Sequence, residues 1–145
     1  MSDPQETLDE KQAIERLNAA LTLQLRSALQ YSLTAASLSG LEVQGLAEML
    51  TRYGDAELAD ARLLIEKIVS LGGEPTTDVA GLQFERDAQD AFRLLVDFEG
   101  ETAEALQASI EPTGREARSE ALEHMLEHMI MRKQRQIDFL ERALR

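Results

Sequence analysis

Apolar residues recur at three- and four-residue spacing in four stretches of this chain. The first carries Ile14, Leu17, Leu21, Ala28, Tyr31, Ala35 and Leu38. The second carries Leu46, Leu50, Tyr53, Leu64 and Leu71, widened by Ala61, Ile65 and Ile68. The third carries Phe84, Ala88, Phe92, Leu95, Ala103, Leu106 and Ile110, and the fourth Leu122, Leu126, Met129, Leu140 and Ala143. Such spacing lays one apolar stripe along each helix. The stretches are rich in Ala, Leu, Glu, Gln and Arg, all strong helix formers. The pattern predicts helices over 9–38, 43–71, 83–111 and 115–144. The breaks are Gly40, Leu71-Gly72-Gly73-Glu74-Pro75 and Pro112-Thr113-Gly114, where Gly stops a helix and Pro prevents its continuation. Aromatic residues make up only 4% of the chain and β-branched residues are scattered, so no strands are expected.

Four apolar stripes are best buried against one another, which predicts an all-α four-helix bundle spanning residues 1–145 as a single domain, with no fifth helix. The first and last connections are short, so the helices they join should be antiparallel neighbours. The middle link, from Gly72 to Gln83, can reach about 40 Å when extended. A 28-residue helix is about 42 Å long. The link can therefore cross the bundle lengthwise and set the third helix parallel to the second. A loop folded up at one end is the alternative.

Polar residues interrupt each stripe near its midpoint. Gln24 falls between Leu21 and Ala28, and Glu57 and Asp60 fall between Tyr53 and Leu64. Glu99 falls between Leu95 and Ala103, and Lys133 and Gln136 fall between Met129 and Leu140. If the midpoints meet, these side chains share one interior layer. Unpaired charges are costly there, so the groups must pair, take protons or bind metal. One, two, one and two polar groups on successive helices is the arrangement of carboxylate-bridged di-metal bundles, where i, i+3 spacing puts both ligands of a pair on one helical face.

Charge narrows the function. The net charge of −12 argues against a broad nucleic-acid surface. There is no Cys, which excludes disulfides, thiol catalysis and cysteine metal sites. No apolar run approaches the roughly 18 residues that span a membrane. The start, Met1-Ser2-Asp3-Pro4-Gln5-Glu6, is polar and acidic, unlike a signal peptide. These features lead to the expectation of a cytoplasmic protein with no nucleic-acid or membrane partner.

Several colinear segments carry a family resemblance. They are Leu17-Asn18, Leu25 and Gln30-Tyr31 in the first helix, and Glu57-Leu58-Ala59-Asp60-Ala61 in the second. Ile65-Glu66-Lys67-Ile68 with Leu71-Gly72-Gly73-Glu74-Pro75 follows, and then Ile137-Asp138-Phe139-Leu140 in the fourth. Over Ala13 to Leu144 the sequence resembles the ferritin-like superfamily, and within it bacterioferritins. The resemblance implies a di-iron site, from which this chain departs. Gln24 stands where the first-helix Glu ligand would be, Glu57 matches a bridging Glu, and Asp60 replaces the first His. Glu99 matches the third-helix Glu, with Glu101 as the alternative if the register shifts by two. Lys133 replaces the second bridging Glu, and Gln136 the second His. Leu58 stands at the haem-ligating Met, so no haem is implied.

Three carboxylates against one lysine give this layer a formal charge of −2, where a di-iron centre takes about −4. Lys133 is therefore expected to bridge Glu57 and Glu99, with Gln24 and Gln136 completing the hydrogen bonds. The alternative is a residual site in which Gln24, Glu57, Asp60 and Glu99 hold one iron or manganese ion. The resemblance implies a protein with little or no ferroxidase activity, acting as an iron-associated or scaffold subunit. Its rivals are an active iron- or manganese-binding oxidase or storage protein, and a metal-free interaction module. Extra apolar residues on the first two helices, Leu23, Leu33, Leu41, Val43 and Leu63, point to a homodimer. A higher homo-oligomer, or partnership with another ferritin-like subunit, is also open.

Other motifs carry less. His124 and His128 lie i, i+4, a spacing that can bind zinc or nickel, but off the apolar stripe, where an exposed or subunit-facing surface is expected. Met125, Met129 and Met131 read as core or interface rather than copper or haem ligands. Tyr31 and Tyr53 fall on core stripes pointing toward the polar layer, each expected as a buried ring with a satisfied hydroxyl.

Overall fold

The computed structural model describes residues 6–145, and the acidic start at residues 1–5 lies outside the described residues. Four helices follow in order: α1 (Glu10–Ser37), α2 (Leu41–Ser70), α3 (Ala88–Ala108) and α4 (Ala117–Ala143). No strand occurs among the described residues. Asp9 caps α1 by accepting from the Gln12 amide, and Asp87 caps α3 by accepting from the Gln89 amide. Gly72, at φ 87°, ends α2 in the left-handed region that glycine adopts without steric cost.

The third helix begins at Ala88 rather than residue 83, because the chain before it is engaged elsewhere. Gln30 of α1 grips the Gln83 backbone from both sides, donating to its oxygen at 2.6 Å and accepting from its amide at 3.1 Å. Near the other end of the link, Asn18 donates to the Glu74 oxygen at 3.0 Å and accepts from the Thr76 amide at 2.8 Å. The link thus runs along α1 from Asn18 to Gln30, as an extended crossover and not a folded-up loop. Phe84, placed on the third apolar stripe by its spacing, lies in this link and is 52% exposed. Ala88 and Ala103 are only partly buried, and Phe98 and Thr102 face the core in their stead. Ala143, the last position of the fourth stripe, is exposed.

Helix directions follow from the contacts. Gln24 meets Glu57 and, further along α1, Tyr31 packs at Gly54, so α1 and α2 are antiparallel. Arg16 pairs with Glu111, Ser27 with Thr102 and Tyr31 with Glu99, so α1 and α3 are antiparallel too. Both run against α1, which makes α2 and α3 parallel, as a lengthwise crossover requires.

The apolar core is divided. One cluster contains Leu17, Leu21, Leu64, Ile68, Leu106, Leu122 and Leu126. The other contains Tyr31, Leu50, Phe92, Leu95 and Leu140. Between them lies the polar layer, at mid-bundle. No helix among the described residues is long and apolar enough to cross a membrane.

Candidate functional site: a buried lysine–carboxylate layer

Five helical positions bring their side chains into the layer: Gln24 from α1, Glu57 from α2, Glu99 from α3, and Lys133 and Gln136 from α4. All are buried, with Lys133 1% and Glu99 0% exposed. Each follows the apolar periodicity of its helix, so burial of the flanking stripe carries it inward. Gly54, one turn before Glu57, helps set the spacing. A Cβ there would lie 3.2 Å from Tyr31 Cβ and 3.3 Å from the Ala28 oxygen. The missing side chain lets α1 and α2 approach closely beside the layer.

Lys133 Nζ donates to Glu57 Oε1 at 2.6 Å and to Glu99 Oε1 at 2.8 Å. The remaining carboxylate oxygens are taken by uncharged donors. Gln24 Nε2 donates to Glu57 Oε2 and to the Glu57 backbone oxygen, both at 2.8 Å. Gln136 Nε2 donates to Glu99 Oε2 at 2.8 Å, and Tyr31 Oη donates to the same oxygen at 2.9 Å. One lysine, two amides and a phenol thus satisfy all four carboxylate oxygens, as burial demands. Gln24 Oε1 makes no hydrogen bond.

Two carboxylates share one ammonium, and they titrate differently. Burial pushes Glu57 upward, but the Lys133 charge together with the hydrogen bonds from Lys133 and Gln24 holds Glu57 below the usual carboxylate range. Burial pushes Glu99 up to about 8, aided by the charge of Glu57 and opposed by Lys133. Burial pulls on the Lys133 ammonium, yet Glu57 and Glu99 hold it above its ordinary value. Burial thus favours a proton on Glu99, whereas the lysine and its neighbours favour the carboxylate on Glu57. The Tyr31 hydroxyl is pushed upward by burial and by both glutamates, so it stays protonated as a donor.

Asp60 stands apart. It is buried, but its carboxylate turns to Arg132 of α4, a half-exposed partner at the edge of the layer. Burial raises Asp60 against the pull of Arg132. The two pairs, Lys133–Glu57 and Arg132–Asp60, both join α4 to α2. Glu99 rather than Glu101 enters the layer. Glu101 pairs with Arg26 at the margin, and Arg26 lies 3.7 Å over the Phe98 ring. Tyr31 joins the network, whereas Tyr53 is half-buried and packs edge-on against Tyr31 and Phe139, at 5.7 and 5.8 Å between centroids.

Arg132 and the buried hydroxyl pair Ser27–Thr102, 3.1 Å apart, escape a reading by apolar periodicity. Arg132 precedes Lys133 and falls off the stripe. The signal that could find it is the need of Asp60, three residues after Glu57 on α2, for a cation from α4.

A four-helix bundle with a lengthwise crossover and a polar mid-layer is the ferritin-like architecture. The chain matches the ferritin-like domain family over residues 14–145 and belongs to it. Among solved structures it is similar to a ferritin-like, diiron-carboxylate protein from Bacillus anthracis. The two share 28% identity over 100% of both chains, with a TM-score of 0.88. No curated protein gives a significant match.

The donors at this layer do not fit a two-metal centre. Such a centre takes four carboxylates and two imidazoles. Here two carboxyl groups meet at one ammonium, and the other hydrogen-bonding groups on them are two carboxamides and a phenol. Among the described residues, no group of three or more His, Asp or Glu is placed to hold a metal ion.

Proposed function

We propose that this chain is a bacterioferritin-like subunit whose di-iron site has been replaced by a lysine-centred ion network. It has little or no ferroxidase activity and acts as an iron-associated or scaffold subunit. The observation that carries this reading is the position of Lys133 Nζ, within hydrogen-bonding distance of both Glu57 and Glu99. An ammonium there neutralises the layer without a metal, and a divalent cation would have to displace it against two charge-assisted hydrogen bonds.

A residual site built from Gln24, Glu57, Asp60 and Glu99 is less well supported. Gln24 uses its nitrogen on Glu57, Asp60 is turned toward Arg132, and both glutamates are held by Lys133. Gln24 Oε1, buried without a hydrogen bond, is the observation that favours this second reading.

The partner we propose is a second copy of the chain. Leu29, Leu58 and Leu63 on α1 and α2 are 44%, 40% and 39% exposed, apolar side chains left outside the bundle core. Leu23, Leu33 and Val43 are partly buried, and Leu41 is 93% exposed.

The test is aerobic oxidation of Fe(II) followed with and without the protein. The scaffold reading expects the wild type and Glu57→Ala to oxidise iron at the same slow background rate. Turnover well above background that is lost in Glu57→Ala would replace it with the oxidase reading.

A further inference from the structure

The buried layer leaves one chemically capable pair unused, on the outside of α4. His124 and His128 lie one helical turn apart, and both are exposed. Their rings stand nearly perpendicular, at 84° with centroids 4.5 Å apart, and their Nε2 atoms approach to 3.1 Å. Glu127 and Met131 line the same shallow depression. Lys133, by contrast, faces the interior at 1% exposure, so the histidine pair and the buried layer are separate places on the helix.

The geometry points to a two-imidazole chelate at His124 and His128 for one divalent late transition-metal ion of the copper, nickel and zinc class. Imidazole nitrogen suits these ions, whereas magnesium and calcium prefer oxygen. Metal–imidazole bonds are about 2.0–2.1 Å, so two nitrogens 3.1 Å apart would subtend roughly 95–100° at a shared ion. That angle falls between square-planar and tetrahedral values. As they stand, the two Nε2 atoms can share at most one proton, which uses one lone pair. A cation uses both. An exposed hydrogen bond is a small loss when it is exchanged for two metal bonds. Both rings are exposed, so small rotations can align their lone pairs without disturbing the core. Glu127 and Met131 share the face but form no three-ligand cluster with the histidines, so water fills the remaining positions and the ion stays exchangeable. The net charge of −12 favours cation approach. Cu(II) is the tightest of the class, by the usual order of divalent ions.

The test is a titration of the untagged full chain with copper(II) sulfate, read by calorimetry and electron paramagnetic resonance. The wild type is expected to bind one Cu(II) per chain with a spectrum showing two nitrogen ligands. His124→Ala and His128→Ala should each weaken that event about tenfold or more and remove one nitrogen from the spectrum. Both substitutions are on an exposed face, and unchanged thermal denaturation of the metal-free variants will confirm that the fold is intact. Two results would overturn the site: affinity unchanged in both variants, or a wild-type spectrum with oxygen ligands alone.

Discussion

Lys133 of α4 donates to Glu57 of α2 at 2.6 Å, in the middle of the bundle and away from solvent. With Arg132–Asp60 beside it, this bond ties together two helices that are far apart in sequence. The same ammonium reaches Glu99 of α3, so one side chain holds three helices at a single level.

Removing that ammonium leaves the buried Glu57 carboxylate, with Glu99 beside it, without a cation. Lys133→Met is expected to destabilise the fold by about 3–5 kcal/mol in urea denaturation at pH 7. Neutralising the partners as well, in Lys133→Met with Glu57→Gln and Glu99→Gln, should recover most of the loss, because no uncompensated charge remains. Equal stability of Lys133→Met and wild type would show that Lys133 is not paired inside the bundle.

The retained proton on Glu99 makes stability depend on pH. In the fold Glu99 keeps its proton to about pH 8, whereas its ordinary value is 4.5. Between these values the folded chain binds more protons than the unfolded one, so this contribution to stability falls as pH rises. Glu57 is lowered and acts oppositely, losing its contribution only on acidification below the ordinary carboxylate range. The melting temperature should therefore drop by roughly 5–10 °C from pH 5.5 to pH 8.5. Glu99→Gln, which has no proton to lose, should flatten that slope. A slope unchanged by Glu99→Gln would place its origin elsewhere.

The exposed apolar side chains of α1 and α2 are expected to be covered in a homodimer. Sedimentation at micromolar concentration should give twice the chain mass for the wild type. Leu58→Asp or Leu63→Asp should shift it to the monomer with the helical content kept, since both side chains lie outside the core. A monomeric wild type would remove this proposal.

Much of this architecture was legible in the sequence. The number of helices, their amphipathic faces and the polar mid-layer follow from apolar spacing, which burial enforces along each helix. The formal charge of the layer could also be counted, because that needs only the identities of Glu57, Asp60, Glu99 and Lys133. The start of α3 was misplaced for a physical reason. Phe84 continues the apolar spacing, but side-chain bonds from Gln30 hold the neighbouring backbone extended, a tertiary effect that local pattern does not encode. The split between Asp60 and the other acids was hidden similarly. Spacing puts Glu57 and Asp60 on one face of α2, but only the packed bundle decides that Arg132 claims the second while Lys133 claims the first.

Metal content per chain tests the central claim most directly. The chain and Glu57→Ala are incubated with Fe(II) or Mn(II), desalted, and analysed by elemental mass spectrometry. If Lys133 fills the place of the metal, the wild type retains less than about 0.1 equivalent that depends on Glu57, while Lys133→Glu, which returns a carboxylate to the layer, retains more. Retention above about 0.5 equivalent by the wild type, abolished by Glu57→Ala, would contradict it.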